Sequence, residues 1–167
     1  SGWENTALQQ VTATQDGVMD VVHARRDALG ADLVTLVVRR TDPSSTGIAY
    51  LFQGLESMTA PFFAFSVINA ADFSVGVVMS HELGHSFGCA HDRQNAGNSG
   101  LFDYSHGYRV TAATASGGAR QVRTIMAYAP GTRVRYFSNP EKSITSSTST
   151  SGTLTFAAPL VLGVPEG

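Results

Sequence analysis

The sequence predicts a mixed α/β (α+β) domain: a twisted mixed sheet with one chemistry-bearing helix, above a small irregular C-terminal subdomain. Three observations point there. Residues 32–40 (DLVTLVVRR), 47–52 (GIAYLF) and 62–69 (FFAFSVIN) are short, apolar and bounded by turn-forming residues, the pattern of strands buried on both faces. Residues 16–29 and 72–87 carry apolar side chains close to helical spacing, and each run is stopped by a glycine, Gly30 and Gly88. Beyond Gly88 the chain is dominated by Gly, Ser, Asn and Thr, with few apolar runs.

Residues 1–17 give no specific signal. In the first helix Val18, Val21, Val22 and Leu29 form the apolar face, with Asp16 as the expected cap. The strand at 32–40 is closed by Thr41-Asp42-Pro43-Ser44-Ser45, which is turn chemistry, and the polar stretch 53–59 separates the next two strands. From Asp72 a helix is expected, with Phe73, Val77, Met79, Leu83 and Phe87 among small and polar residues. Residues 97–100, 104–110 and 117–118 read as loops, and 123–128 (RTIMAY) is the one apolar cluster before Pro130-Gly131. The Ser/Thr-rich run 138–152 reads as a surface loop or mobile tail, and 153–164 turns apolar again. The expected organisation is one domain, with an upper subdomain of about residues 1–88 and a lower one of about 89–167. No internal repeat is present.

The 167 residues and 17.6 kDa suit one compact domain that buries roughly two-thirds of its unfolded surface. With 43% hydrophobic and 14% charged residues the composition is not that of a disordered segment, and no apolar run approaches the ~18 residues of a membrane helix. Eleven basic residues against thirteen acidic ones leave a formal charge of -2, which gives no footprint for nucleic acid. Cys89 is the only cysteine, so neither an internal disulfide nor a thiolate cluster can form. Residues 1–10 show no signal-like segment; if the protein is exported, its signal is absent from this chain.

The chemistry concentrates in residues 81–92. His81-Glu82-Leu83-Gly84-His85 sets two imidazoles four residues apart on one helical face, so both can hold one ion. A catalytic zinc takes three protein ligands and keeps an open position, and His91 supplies the third if the chain turns sharply at Gly88. Glu82 leaves the helix at a different angle, which suits a general base over the open position better than a ligand. The reaction this points to is metal-assisted amide hydrolysis, with Glu82 taking a proton from the attacking water and passing it to the leaving amine.

The extended pattern His81-Glu82-x-x-His85-x-x-Gly88-x-x-His91-Asp92 resembles the metzincin zinc-binding signature. Thr124-Ile125-Met126-Ala127-Tyr128, 35 residues beyond His91, resembles the methionine turn of that clan. The resemblance implies that Met126 forms an apolar floor under the imidazoles. An Asp after the third histidine is similar to the adamalysin or reprolysin branch, and implies that Asp92 buttresses the turn. Ser105-His106-Gly107-Tyr108-Arg109 and Arg135-Tyr136-Phe137-Ser138-Asn139-Pro140 further resemble bacterial peptidyl-Asp metalloendopeptidases. The likeness covers roughly residues 18–140 and lacks the disulfides of animal reprolysins.

The resemblance implies a secreted, monomeric zinc endopeptidase that binds an extended polypeptide along an edge strand, here the segment 47–52. Tyr128 matches a position where some metzincins place a tyrosine that ligates zinc or stabilises the oxyanion; the alternative is a packed, hydrogen-bonded tyrosine. Arg133 and Arg135 fall in the stretch that lines the primed-side pocket, where a guanidinium would favour an acidic residue just after the scissile bond. The alternative is two solvated loop arginines. Arg109 and Arg123 are weaker candidates for that pocket. His23 and His106 read as structural, Cys89 as a small buried side chain, and no run of acidic ligands supports a calcium site around Asp103. Two other classes compete: a metzincin-fold binding module that keeps zinc without turnover, and a zinc hydrolase acting on small molecules.

Overall fold

In the computed structural model, the described residues are 2–41, 46–54, 61–73, 77–97, 100–149 and 152–164. The expected turn at 42–45, most of the polar stretch 53–59, positions 74–76 of the expected second helix and 98–99 of a loop lie outside them. Helix and strand are both present, so the mixed fold class holds. The chain divides into two compact units, Ser1–Phe87 and Gly88–Gly167.

The first unit is a sheet of three strands with helices. Strand β1 (Val34–Val38) runs parallel to β3 (Phe65–Asn69), and β2 (Gly47–Ala49) runs antiparallel to it, giving the order β1-β3-β2. The central strand is buried along its whole length, with Phe65, Val67 and Ile68 at 0% exposure, as its unbroken apolar run requires. Its two polar side chains are satisfied locally. Ser66 Oγ bonds Thr35 Oγ1 at 2.9 Å, and Asn69 Oδ1 accepts from the Arg40 and Ala71 N–H groups.

Helix α1 (Trp3–Thr12) was not expected from the sequence. Leu8 and Val11 bury one face of it into the core with Phe65 and Val67, and Trp3 and Ala7 pack alongside. Helix α2 is shorter than read: it spans Val21–Leu29, and Asp16 does not cap it. The Asp16 carboxylate instead accepts the Val18 N–H at 2.8 Å, a local turn, and Met19 adopts a left-handed φ of 60° that keeps the chain out of helix. Its expected apolar face is largely wet, since Val21 and Leu29 are exposed and Val22 alone of the four packs against the core. The stop at Gly30 is as read, with φ 61°.

The single helix expected from Asp72 is described as two pieces, α3 (Ala70–Phe73) and α4 (Val78–Ser86). The side of α4 that is buried is Val78, His81, Glu82, Gly84 and His85, whereas Met79 and Phe87 are exposed. Its polar, chemistry-bearing face therefore turns inward, against β2 and β3.

The second unit is not irregular, contrary to the sequence reading. After a looped stretch, β4 (Arg109–Ala113) and β5 (Ala119–Arg123) pair antiparallel, and β6 (Thr132–Arg133) joins β5 in parallel. The run read as a loop or tail is β7 (Asn139–Ser149), which pairs antiparallel with β8 (Gly152–Leu162). Serine and threonine mask its period, because Ile144 is the buried apolar residue on β7 and the partner strand supplies Phe156 and Leu162. These three join Ala112, Val122 and Val134 in one core. No helix of the described residues is long and apolar enough to cross a membrane.

If this hairpin packs as described, Phe156→Ala will lower the unfolding free energy by about 3–5 kcal/mol. Denaturant titration checks it, and a loss below ~0.5 kcal/mol would mean that the hairpin carries no core.

Candidate metal centre

One ring nitrogen from each of His81, His85 and His91 lies within 4.8 Å of the others, and the three form the one group of metal-binding type among the described residues. His85 lies four positions after His81 on the helix, so their rings meet edge to face at 4.9 Å between centroids. Both are buried. Phe87 N–H closes the helix end onto the Leu83 and Gly84 carbonyls, and Gly88 then takes φ 84°, the left-handed turn that the sequence assigned to it. Burial lowers the His91 pKa, and the Asp92 charge opposes that shift only in part. The neutral ring that results is the form that donates a lone pair to a metal. Three neutral imidazoles are a donor set suited to zinc, with the fourth position left to water or substrate.

Glu82 is 4% exposed and points elsewhere than the histidines, toward β2, where its Oε1 and Cγ crowd Gly47. Burial pushes its carboxyl up to about 8.

Within the second unit, His91 is held by a stack of three backbone segments. Ala90 N–H donates to the Ser105 carbonyl and Gly107 N–H to the Ala90 carbonyl, while His106 Nδ1 lies 3.0 Å from the His91 carbonyl oxygen. On its other side Gly107 meets the methionine turn so closely that a Cβ would stand 2.5 Å from the Ala127 nitrogen. Thr124 completes the stack: its N–H donates to the Tyr108 carbonyl and its Oγ1 accepts the Tyr108 N–H. Met126 is buried at 1% exposure, and the Tyr128 ring lies on the His91 ring at 4.0 Å between centroids.

Asp92 ties this stack together. Its carboxylate accepts the Tyr128 N–H at 3.0 Å and the Asn95 side chain at 3.0 Å, and pairs with Arg109 at 2.9 Å. Burial alone would raise its pKa, but these hydrogen bonds and the Arg109 charge outweigh it and hold the carboxyl below its usual range.

The four arginines near the methionine-bearing loop differ in their partners. Arg109 is engaged by Asp92 and also bonds the Ala129 carbonyl and Gln94; Arg123 donates to the Gly131 and Ala127 carbonyls at 2.9 and 2.7 Å. Both therefore brace the loop after Met126. Arg135 is exposed. Arg133 is half-buried, its Nε has no hydrogen-bond partner among the described residues, and desolvation lowers its pKa. Arg133 and Arg109 in turn help to push Arg123 down to about 10, an effect second to its own burial.

His23 contacts the Ala13 carbonyl oxygen at 2.9 Å and His106 the His91 carbonyl oxygen at 3.0 Å, and neither belongs to the three-histidine group. The roles of Arg109, Arg123 and Thr124 were missed; a cation at each end of a hairpin beside a motif is a signal too general to find them.

The model of metallo-peptidase family M12 matches residues 2–138. A peptidyl-Asp metalloendopeptidase of Stenotrophomonas maltophilia is 32% identical over 143 residues, which is 84% of this chain and 32% of the relative. One of Xanthomonas campestris pv. campestris is 33% identical over 138 residues, 81% of this chain and 30% of the relative. The chain thus spans about a third of the length of these curated relatives. No solved structure matches it.

Asp92→Ala leaves Arg109 without its carboxylate and Tyr128 N–H without its acceptor, and will destabilise the fold by about 3 kcal/mol. Asp92→Asn, which keeps an acceptor oxygen, will lose less; chemical denaturation of the two variants side by side checks the order.

Proposed function

This chain belongs to metallo-peptidase family M12, and we propose that it is a zinc-dependent endopeptidase of the metzincin type that hydrolyses internal peptide bonds. The observation that carries the reading is the clustering of the three histidine nitrogens within 4.8 Å, with the buried Glu82 on the same helix as two of them. His81, His85 and His91 hold the ion. Zinc bound there would supply the Lewis acid that polarises the scissile carbonyl and lowers the pKa of a water into the neutral range.

Glu82 takes the proton from the attacking water on a carboxylate oxygen and delivers it to the leaving amine nitrogen. The stacked ring of Tyr128 and the hydrogen bond from His106 to the His91 carbonyl orient the third ligand, and Met126 lies in the buried turn that Asp92 holds. A role for Tyr128 at the oxyanion or as a fifth ligand rests on the resemblance alone.

The substrate is a polypeptide laid antiparallel on β2, an edge strand whose one neighbour among the described strands is β3. An acidic side chain after the scissile bond is preferred. Two observations support that: the relatives are named peptidyl-Asp metalloendopeptidases, and Arg133 keeps a half-buried guanidinium with an unsatisfied Nε. A carboxylate would satisfy it with a charge-assisted hydrogen bond. Arg135, exposed, plays the lesser part. Secretion belongs to the same reading, as does the division into an upper and a lower subdomain around the chain's midpoint.

Chelation of zinc will abolish peptide cleavage and readdition will restore it, and Glu82→Gln will lower kcat by about 10²–10⁴-fold with zinc retained. Zinc-loaded, folded protein that cleaves no peptide would instead make this a binding module, and rates that do not rise with peptide length would favour a small-molecule hydrolase.

Arg133→Gln will reduce kcat/KM for peptides with Asp after the scissile bond by about 10–100-fold, from the loss of a charged hydrogen bond, while Ala-containing peptides change little. Mass-spectrometric mapping of cleavage sites in a peptide library checks it, and an equal loss on both substrates would remove Arg133 from the pocket.

A further inference from the structure

Gly47 opens β2, where it pairs with Ile68 of the central strand. Glycine is a poor strand residue, disfavoured by roughly 0.5–1 kcal/mol against alanine in such a position, so its presence needs a cause. The backbone does not supply one, because Gly47 is not among the residues with positive φ. Space does. A Cβ at Gly47 would stand 2.8 Å from Glu82 Oε1, 3.0 Å from Glu82 Cγ and 3.0 Å from the Val67 carbonyl oxygen.

Of these three atoms, the Val67 carbonyl belongs to the fully buried central strand, and its 3.0 Å contact asks for a shift of only a few tenths of an ångström, which the edge strand can give. The other two belong to the Glu82 side chain. Reaching an ordinary contact of ~3.5 Å would displace the carboxylate oxygen by ~0.7 Å, a small strain for the fold but a large error for a proton carrier. The sheet edge and the carboxyl are thus fitted to each other through one missing side chain.

We propose that Gly47 is a positioning residue for Glu82: the lack of a Cβ at the start of the edge strand fixes where the carboxylate stands. The strand that receives the substrate then also sets the register of the proton carrier. This rests on the reading of Glu82 as the general base.

The test is Gly47→Ala, alone and combined with Glu82→Ala, in the zinc-loaded chain. Gly47→Ala is expected to lower kcat by about 10–100-fold, with KM within about twofold and with zinc content and Tm close to those of the parent. In the Glu82→Ala background, where the side chain that collides is gone, the same substitution is expected to leave the residual rate within about twofold. If Gly47→Ala fails to fold, adding Glu82→Ala should recover the Tm, and no recovery overturns the inference. So does a change confined to KM, which would place Gly47 in substrate binding, or an equal loss of kcat in both backgrounds. A Glu82→Gln variant that hydrolyses peptide at the parent rate is a separate result: it defeats the reading of Glu82 itself, and the inference with it.

Discussion

A carboxylate that is almost wholly buried holds the second unit in its working form. Removing Asp92 from water carries a desolvation penalty of several kcal/mol, and a partner cation alone seldom offsets that. Here the Arg109 ion pair is joined by the Tyr128 N–H and both contacts from Asn95, so the charged form is favoured in spite of its burial. Those partners come from three places in the sequence: the turn just after His91, the first residue of β4 and the end of the methionine turn. A group that needs all of them at once holds them in register. Arg123 works on the same loop from the other side, through the Gly131 and Ala127 carbonyls.

The first unit solves a different problem. Helix α4 must present polar side chains to the inside, which a helix held by apolar packing alone would not do. Its buried face carries His81, Glu82 and His85 beside the small Gly84, and Gly47 on β2 leaves room for the Glu82 side chain. The surrounding core of Phe65, Val67, Leu8 and Val11 supplies the rigidity that the helix does not provide for itself. Met79 and Phe87, the larger apolar side chains of the α4 segment, lie at the surface, so its hydrophobic pattern misstates its orientation.

Legibility followed the range of the cause. The pairing of His81 with His85 and the turn at Gly88 depend on dihedral angles within one or two helical turns, and both were readable. The continuous apolar run of β3 was readable because a strand buried on both faces has no alternation to hide. Helix α1 was missed because no side chain caps its start and its apolar positions are interleaved with Asn5, Thr6, Gln9 and Gln10. The start of α2 was misplaced because Asp16 closes a local turn with the same hydrogen bond that it would use as a cap. Strand β7 was misread because its partner, rather than its own composition, makes it a strand.

By itself the sequence determined the three histidines of the one metal-binding-type group among the described residues, the helix that carries two of them, and the family. Local geometry and residue chemistry suffice for those, because they act over a few residues. Only the tertiary structure decided which arginine neutralises Asp92, which cations brace a loop, and which one keeps an unsatisfied donor. The same is true of the contact between Gly47 and Glu82, 35 positions apart. Electrostatic partners and close packing are fixed by distance in space, and distance in space is what a pattern of residues along one chain does not contain.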